Sequence, residues 1–315
     1  MVKKYTVDTP YPVGPVHFYV EEYNDFIVLF DTGPNTNHAK EFLKQSIDLN
    51  RLKYLFITHC HADHYGLVKY IKENSDAEIF ISKYDLFRLY NLDLRIKSMS
   101  RILKEIGMMS STIEKIIGVL YMFAREVPVP GDIQVLEDAD DILESLKISY
   151  LRCPGHSQSD IVYLLGNKAI TGDVFLNGIF QTPLLDIDAD NSDSRFKNYL
   201  YFCETIQKIK KLEEKYQLLP GHRDFIDSVE ERVKFYVNKM CERIITLKDF
   251  LKKGDILKAL KKIIPNPEDE PFNTYIKLSE ILFFNDFYEN PNLLLDSLKE
   301  AKINFNKNLI MMCID

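Results

Sequence analysis

The stretch LKYLFITHCHADHYG, residues 52–66, decides how this chain folds. Leu52 to Thr58 is a short, nearly all-apolar run of the kind that makes a strand covered on both faces. The composition then changes abruptly, and His59, His61, Asp63 and His64 follow within one short segment. In extended backbone, side chains alternate, so His59, His61 and Asp63 project to one side, and a turn into the following helix brings His64 round to meet them. Three imidazoles and a carboxylate converging in one loop are ligands for zinc and its neighbours, whereas a calcium or magnesium site is built from oxygens.

Working outward, Val16 to Val20 and Asp25 to Phe30 read as strands, the second ending at Asp31-Thr32-Gly33-Pro34, a sharp turn into a helix over about Asn37 to Ile47. Leu67 to Glu73 has helical spacing and Glu78 to Ser82 is another buried strand, which makes this part a β-α-β-α series. Residues 84–127 turn helical and rich in Leu, Ile and Met, with Met99, Met108, Met109 and Met122 among them; this is a helical insertion, placed where it could serve as a lid. Strands resume at Ile133 to Glu137, Ile148 to Arg152, Ile161 to Leu165 and Lys168 to Thr171, the last two joined by the tight turn Gly166-Asn167. A helix over Arg195 to Lys215 leads to the strand Tyr216 to Leu219 and to Pro220-Gly221-His222. Beyond Asp224 only helical patterns follow. The organisation is therefore an α/β catalytic domain over residues 1–224 and an α-helical C-terminal extension over 225–315.

Composition narrows the function classes. The net charge of −7 offers no general attraction to phosphate backbones or anionic lipid, so nucleic acid and membrane are disfavoured as partners. The longest uncharged apolar run, Ile116 to Ala124, is less than half of the roughly 20 residues needed to cross a bilayer. In Met1 to Val20, Asp8 and three prolines interrupt any apolar signal-peptide core. The 5 cysteines are widely spaced, with no C-x-x-C pair, and read as reduced thiols of a cytoplasmic protein. The acidic stretch Asp186 to Asp193 lacks the spacing of a calcium loop and reads as a solvated loop.

Of 7 histidines, His59, His61, His64, His156 and His222 all sit just after expected strands, a distribution that core packing does not produce. His156 lies in Cys153-Pro-Gly-His, Asp173 in Thr171-Gly-Asp and His222 in Leu219-Pro-Gly-His; the glycine before each lets backbone turn sharply and approach an ion closely. Seven candidate ligands exceed one tetrahedron, so two metals are expected, with an aspartate bridging ions about 3.5–4 Å apart. His17 and His38 have no motif around them and read as ordinary residues. Cys60 and Tyr65 read as packed side chains, and Asp31 as a turn former before Gly33-Pro34.

The order H-x-H-x-D-H, G-H, G-D, G-H, preceded by D-T-G, resembles the metallo-β-lactamase superfamily over about residues 10 to 225. The resemblance implies an αββα sandwich, with the insertion and the C-terminal helices added to it. It implies that His59, His61 and His156 hold one metal, that Asp63, His64 and His222 hold the second, that Asp173 bridges them and that Asp31 supports the site from behind. His64 is similar to the symmetric di-metal branch typified by glyoxalase II and related thioesterases. Ser157 and Asp160 depart from the Thr and Gly that relatives often carry there.

The expected cofactors are two divalent ions, zinc first, with iron or manganese as alternatives. The expected activity is hydrolysis of a small thioester or ester by a metal-bound hydroxide, with Asp63 and Asp173 as the carboxylates on which turnover depends. Two alternatives stand beside it: a phosphodiesterase or nuclease on the same scaffold, and a metal-binding regulator acting through its helical tail. The expected partner is a small-molecule substrate, and a homodimer is compatible with the helical tail.

Overall fold

Alternation along the strands builds the layers in a computed structural model that describes residues 1–126 and 129–314. The first sheet holds β1 (Lys3–Val7), β2 (Val16–Glu22), β3 (Ile27–Phe30), β4 (Leu52–Phe56), β5 (Glu78–Ile81) and β6 (Gln134–Val135), in that spatial order. β1 to β3 run antiparallel, while β3 to β6 pair in parallel through crossovers containing α1 (Asn37–Ser46), α2 (Ala62–Tyr65) and α3 (Val68–Asn74). The second sheet, ordered β10-β9-β8-β7, holds β7 (Ile148–Arg152), β8 (Ile161–Leu165), β9 (Lys168–Gly172) and β10 (Gln217–Pro220).

Successive side chains of the first sheet go to opposite faces. Phe18, Val20, Leu29, Leu55 and Ile79 pack on the helices α1 to α3, together with Leu43, Val68 and Ile71. Tyr19, Phe30, Tyr54, Phe56 and Phe80 face the second sheet and meet Ile161, Tyr163, Ile170 and Leu219. Rings dominate that interface: Phe56 lies 5.1 Å from Phe80 and 5.6 Å from Tyr163 between centroids, within the range where aromatic pairs add to simple burial. The outer face of the second sheet, Val162, Ala169 and Leu218, is covered by α8 (Asn198–Glu213). The result is the αββα sandwich expected of the sequence.

The insertion forms α4 (Lys83–Tyr90), α5 (Leu92–Glu105) and α6 (Ser110–Glu126), with residue 127 outside the described residues. Met99, Leu103 and Ile116 are buried in the same cluster as α8 and the C-terminal helices, so apolar packing takes up much of the insertion. Those helices are α9 (Val229–Leu251), α10 (Ile256–Ile263), α11 (Pro271–Glu289), α12 (Pro291–Glu300) and α13 (Lys307–Ile314); residue 315 is outside the described ones. They share one continuous core with the second sheet.

Several elements differ from the sequence expectation. α7 (Asp140–Leu146) and α13 have no counterpart in it, and β6 is two residues long where five were read, because its parallel partner β5 ends at Ile81. The acidic stretch is not simply solvated: Asp186 turns inward, where Arg95 Nε donates to it at 2.6 Å, and Arg101 of α5 reaches Asp193 at 2.5 Å. Among the described residues no helix is long and apolar enough to cross a membrane.

Candidate metal centre

Each candidate side chain leaves the sandwich at the end of a strand along one edge. Asp31 follows β3, the segment 59–64 follows β4, His156 lies between β7 and β8, Asp173 follows β9 and His222 follows β10. All seven expected ligands meet there, in overlapping groups whose ligand atoms lie within 4.8 Å of one another: His59, His61 and His156; His59, His64 and Asp173; Asp63, His64 and His222. Asp173 joins the groups, with Oδ1 at 3.3 Å from His64 Nε2 and Oδ2 at 3.6 Å from His222 Nε2 and 3.9 Å from His156 Nε2.

The hydrogen bonds on the far sides of the rings set which nitrogen faces inward. His64 Nδ1 donates to Asp31 Oδ2 at 2.8 Å, His156 Nδ1 to the Thr182 carbonyl at 3.1 Å, and His222 Nδ1 to the Pro15 carbonyl at 2.7 Å. The Thr58 hydroxyl gives its own proton to Asp31 Oδ2 at 2.8 Å, which leaves it to accept from His59 Nδ1 at 3.1 Å. With Nδ1 protonated on four rings, four Nε2 lone pairs converge on the cluster, the arrangement that imidazole ligands adopt when an outer acceptor orients them. His61 presents Nδ1, 3.0 Å from both His59 Nε2 and His156 Nε2.

This convergence is what makes the residues fit cations. His64 Nε2, His222 Nε2 and Asp173 Oδ1 are buried without a hydrogen-bond partner, a costly state for polar atoms unless a ligand completes them. Inward-facing lone pairs repel one another at such distances unless positive charge lies among them.

The electrostatics agree. Burial, reinforced by neighbouring imidazoles, holds His59 and His61 well below the usual range, so both rings are neutral. Burial pushes the Asp173 carboxyl up, but His222 and His64 outweigh it and hold the group well below the usual range. Burial also opposes charge on His64, yet Asp173 and Asp31 overcome it and raise its pKa well above the normal value. A proton and a cation thus compete for the same Nε2 lone pair.

Two glycines make the crowding feasible. A Cβ at Gly221 would overlap the His64 ring and stand 2.5 Å from Asp173 Oδ1. Gly172 has φ +50, and a Cβ there would meet Thr58 Oγ1 at 2.6 Å.

Asp31 is more than a turn former: besides His64 and the Thr58 hydroxyl it accepts from the Thr58 backbone N–H at 2.8 Å. Cys60 and Tyr65 pack with α3 on the helix side of the first sheet. Ser157 does not stand free; its hydroxyl donates to Asp160 at 2.6 Å, and burial pushes the Asp160 carboxyl up to about 8. His17, read as ordinary, holds the chain behind His222: its Nε2 donates to the Arg223 carbonyl at 2.7 Å and its backbone N–H to Gly221 O at 2.6 Å. Thr58, Thr182 and Pro15 were missed. Only Thr58 carried a signal, as the residue before the first histidine.

The C-terminal helices also reach the centre. Thr182, the acceptor for His156, donates its hydroxyl to Glu280 of α11 at 3.0 Å, and Glu280 is paired with Arg243 of α9 at 3.0 Å. Tyr275 of α11 donates to Leu185 O at 2.6 Å, and Tyr236 of α9 to Gln181 O at 3.2 Å. The segment after Asp173 is thus clamped by the helices that follow the sandwich.

Fold and site together define a metal-dependent hydrolase of the αββα type. The family model of the metallo-beta-lactamase superfamily matches residues 11–222, and the chain belongs to that superfamily, whose members typically bind divalent metals in such a His/Asp cluster. Among relatives, the Bacillus subtilis (strain 168) protein named "Probable metallo-hydrolase YqjP" is 27% identical over 252 residues, 75% of this chain and 76% of that one. "Probable metallo-hydrolase MJ0888" of Methanocaldococcus jannaschii is 24% identical over 198 residues, 62% of this chain and 82% of that one. The metallo-beta-lactamase family protein TTHA1429 of Thermus thermophilus superposes with TM-score 0.68 at 18% identity, covering 90% of this chain and 93% of that one. At that coverage the shared fold runs past residue 222 into the C-terminal helices. The chain is therefore an enzyme of the metallo-hydrolase kind.

Proposed function

We propose that the protein hydrolyses a small thioester or ester, in the manner of the glyoxalase II-like branch of the superfamily. The observation that carries this reading is the pair of ligand groups, His59/His61/His156 and Asp63/His64/His222, joined by Asp173. His59, His61 and His156 would hold one divalent cation and Asp63, His64 and His222 the other, with Asp173 facing both. Two such ions, zinc first, would supply Lewis acidity for attack on a carbonyl and lower the pKa of water toward neutrality.

The chain's own residues do the rest. Asp31, Thr58, Thr182 and Pro15 keep the imidazoles in the tautomer that presents a lone pair, which removes reorganisation from the reaction. Asp63 and Asp173 supply the negative charge that balances the cations. A narrow cleft opens beside His61, with Phe87, Leu184, Ile187 and Phe196 in its wall. A thiolate leaving group needs no protein acid. Five free, buried cysteines accord with a reducing, cytoplasmic setting.

A second reading, phosphodiester cleavage, has one observation in its favour: a segment of 49 residues, 15% of this chain, is 45% identical to "Ribonuclease Z" of Staphylococcus epidermidis. The net charge of −7 weighs against an RNA substrate. An acyl-thioester, bis(p-nitrophenyl) phosphate and nitrocefin, assayed side by side with defined zinc, manganese and iron, separate the readings. Thioester turnover is expected to dominate; phosphodiester turnover without thioester cleavage would reverse the assignment.

A further inference from the structure

The cleft beside His61 has a second wall built from the helical insertion, and that wall carries two cations. Arg88 of α4 and Arg95 of α5 both line it, together with Ser157 and Asp186. Both guanidinium groups share the Asp186 carboxylate and keep further N–H donors that no hydrogen bond among the described residues uses. Arg95, buried to 5% exposure, donates through Nε to Asp186 Oδ1 at 2.6 Å, and its guanidinium makes no other hydrogen bond among the described residues. Arg88 makes none among them: its nearest carboxylates are Asp186 Oδ2 at 3.5 Å and Asp85 Oδ1 at 3.9 Å, both beyond good hydrogen-bond length.

The countercharge is already committed. Asp186 Oδ1 also accepts from the Ile187 N–H at 2.9 Å, and Asp85 accepts from the Cys60 N–H at 2.8 Å. Burial pushes the Asp85 carboxyl up, which weakens it as a balance for two arginines. Asp186 is thus shared by both guanidinium groups, Oδ1 with Arg95 and Oδ2 with Arg88. Arg88 keeps 26% of its side-chain surface and lines the same cleft as His61. Arginine with free fork donors, partly desolvated, is the side chain that recognises carboxylate and phosphate.

We propose that Arg88 and Arg95 form an oxyanion subsite next to His61, which takes a carboxylate or phosphate carried by the substrate a short distance from the bond to be cleaved. The substrate class is then an anionic ester or thioester rather than a neutral one, and the insertion acts as a specificity wall. The proposal deepens the hydrolase reading and rests on it for the position of the reacting bond, while the binding of an anion does not depend on that reading.

Two measurements on the full-length metal-loaded protein decide it. Calorimetric titration with succinate and with inorganic phosphate compares wild type, Arg88→Met and Arg101→Met, the last removing the same charge outside the cleft. Loss of a charge-assisted pair is expected to weaken binding about 10- to 100-fold in Arg88→Met and leave Arg101→Met unchanged. Succinate favoured over phosphate identifies a carboxylate substrate, and the converse a phosphorylated one. In parallel, kcat/KM is measured for succinyl and butyryl thioesters of one thiol, with Arg88→Lys as the conservative variant. The succinyl preference is expected to collapse in Arg88→Met and return in part in Arg88→Lys. Anion binding and the succinyl-to-butyryl ratio both unchanged in Arg88→Met overturn the subsite. If neither thioester turns over but the anion still binds through Arg88, the subsite stands and the thioester reading falls.

Discussion

Replacing Asp31 by Asn tests whether the carboxylate behind the cluster sets its chemistry. Asp31 has φ 60, a left-handed conformation that Asn tolerates as well as Asp does, so the backbone gives no reason for the variant to misfold. The carboxylate accepts three hydrogen bonds, one at Oδ1 from the Thr58 N–H and two at Oδ2 from the Thr58 hydroxyl and His64 Nδ1, each 2.8 Å long. An amide has a single acceptor atom. If that oxygen faces His64, the amide N–H meets the Thr58 N–H; if it faces Thr58 N, the amide N–H meets His64 Nδ1. The second arrangement forces His64 into the tautomer with a proton on Nε2, the atom that faces Asp173. Loss of such an outer partner costs about 10- to 100-fold in metal affinity, and one orphaned buried donor costs about 1–3 kcal/mol of stability. Competition between protein and a chelator of known zinc affinity, read with metal content and thermal melting, measures both. Zinc affinity within about twofold of wild type, in a variant that melts at the wild-type temperature, would refute the tautomer reasoning.

Two further outcomes follow from close contacts and from titration. Gly221→Ala places a methyl group onto the His64 ring and 2.5 Å from Asp173; the variant is expected to keep its far-ultraviolet dichroism and to lose at least one metal equivalent, measured by elemental analysis. Burial lowers the His17 pKa to about 4. The fold therefore favours neutral His17, a contribution complete above the unfolded value of 6.5 and lost as pH falls from there through about 4. Denaturant midpoints between pH 7 and pH 4 are expected to drop by more in wild type than in His17→Asn, with the His17 part at most about 2 kcal/mol after solvent screening. Parallel curves for the two proteins would exclude it.

Much of this protein was legible in residues 52–66 and the three glycine-preceded ligands. The apolar run LKYLFIT has to be a doubly covered strand because both faces of its pleat are apolar, and the histidines that follow have too few apolar neighbours to be core. Strand-end ligands were readable because side-chain periodicity is local. The short helix α7 was lost between two strands, and the inward turn of Asp186 was invisible because its arginine partner lies 91 residues away on α5. Asp31 was half legible: its turn was local, its grip on His64, 33 residues on, was not.

Residue type and spacing were enough to pick out the side chains that converge at the sandwich edge, since imidazole and carboxylate are chemically scarce and their order along the chain is distinctive. The state of each ligand was settled in space. The Pro15 and Thr182 carbonyls that hold His222 and His156 have no signature in the chain, because every residue carries a carbonyl and only folding selects one. The same holds for the C-terminal helices, whose Glu280 reaches Thr182 across 98 residues, and for Arg88 and Arg95, which become a pair facing His61 only once α4 and α5 pack against the sandwich edge. Long-range hydrogen bonds and charge pairs are properties of distance, and distance is fixed when the apolar faces close.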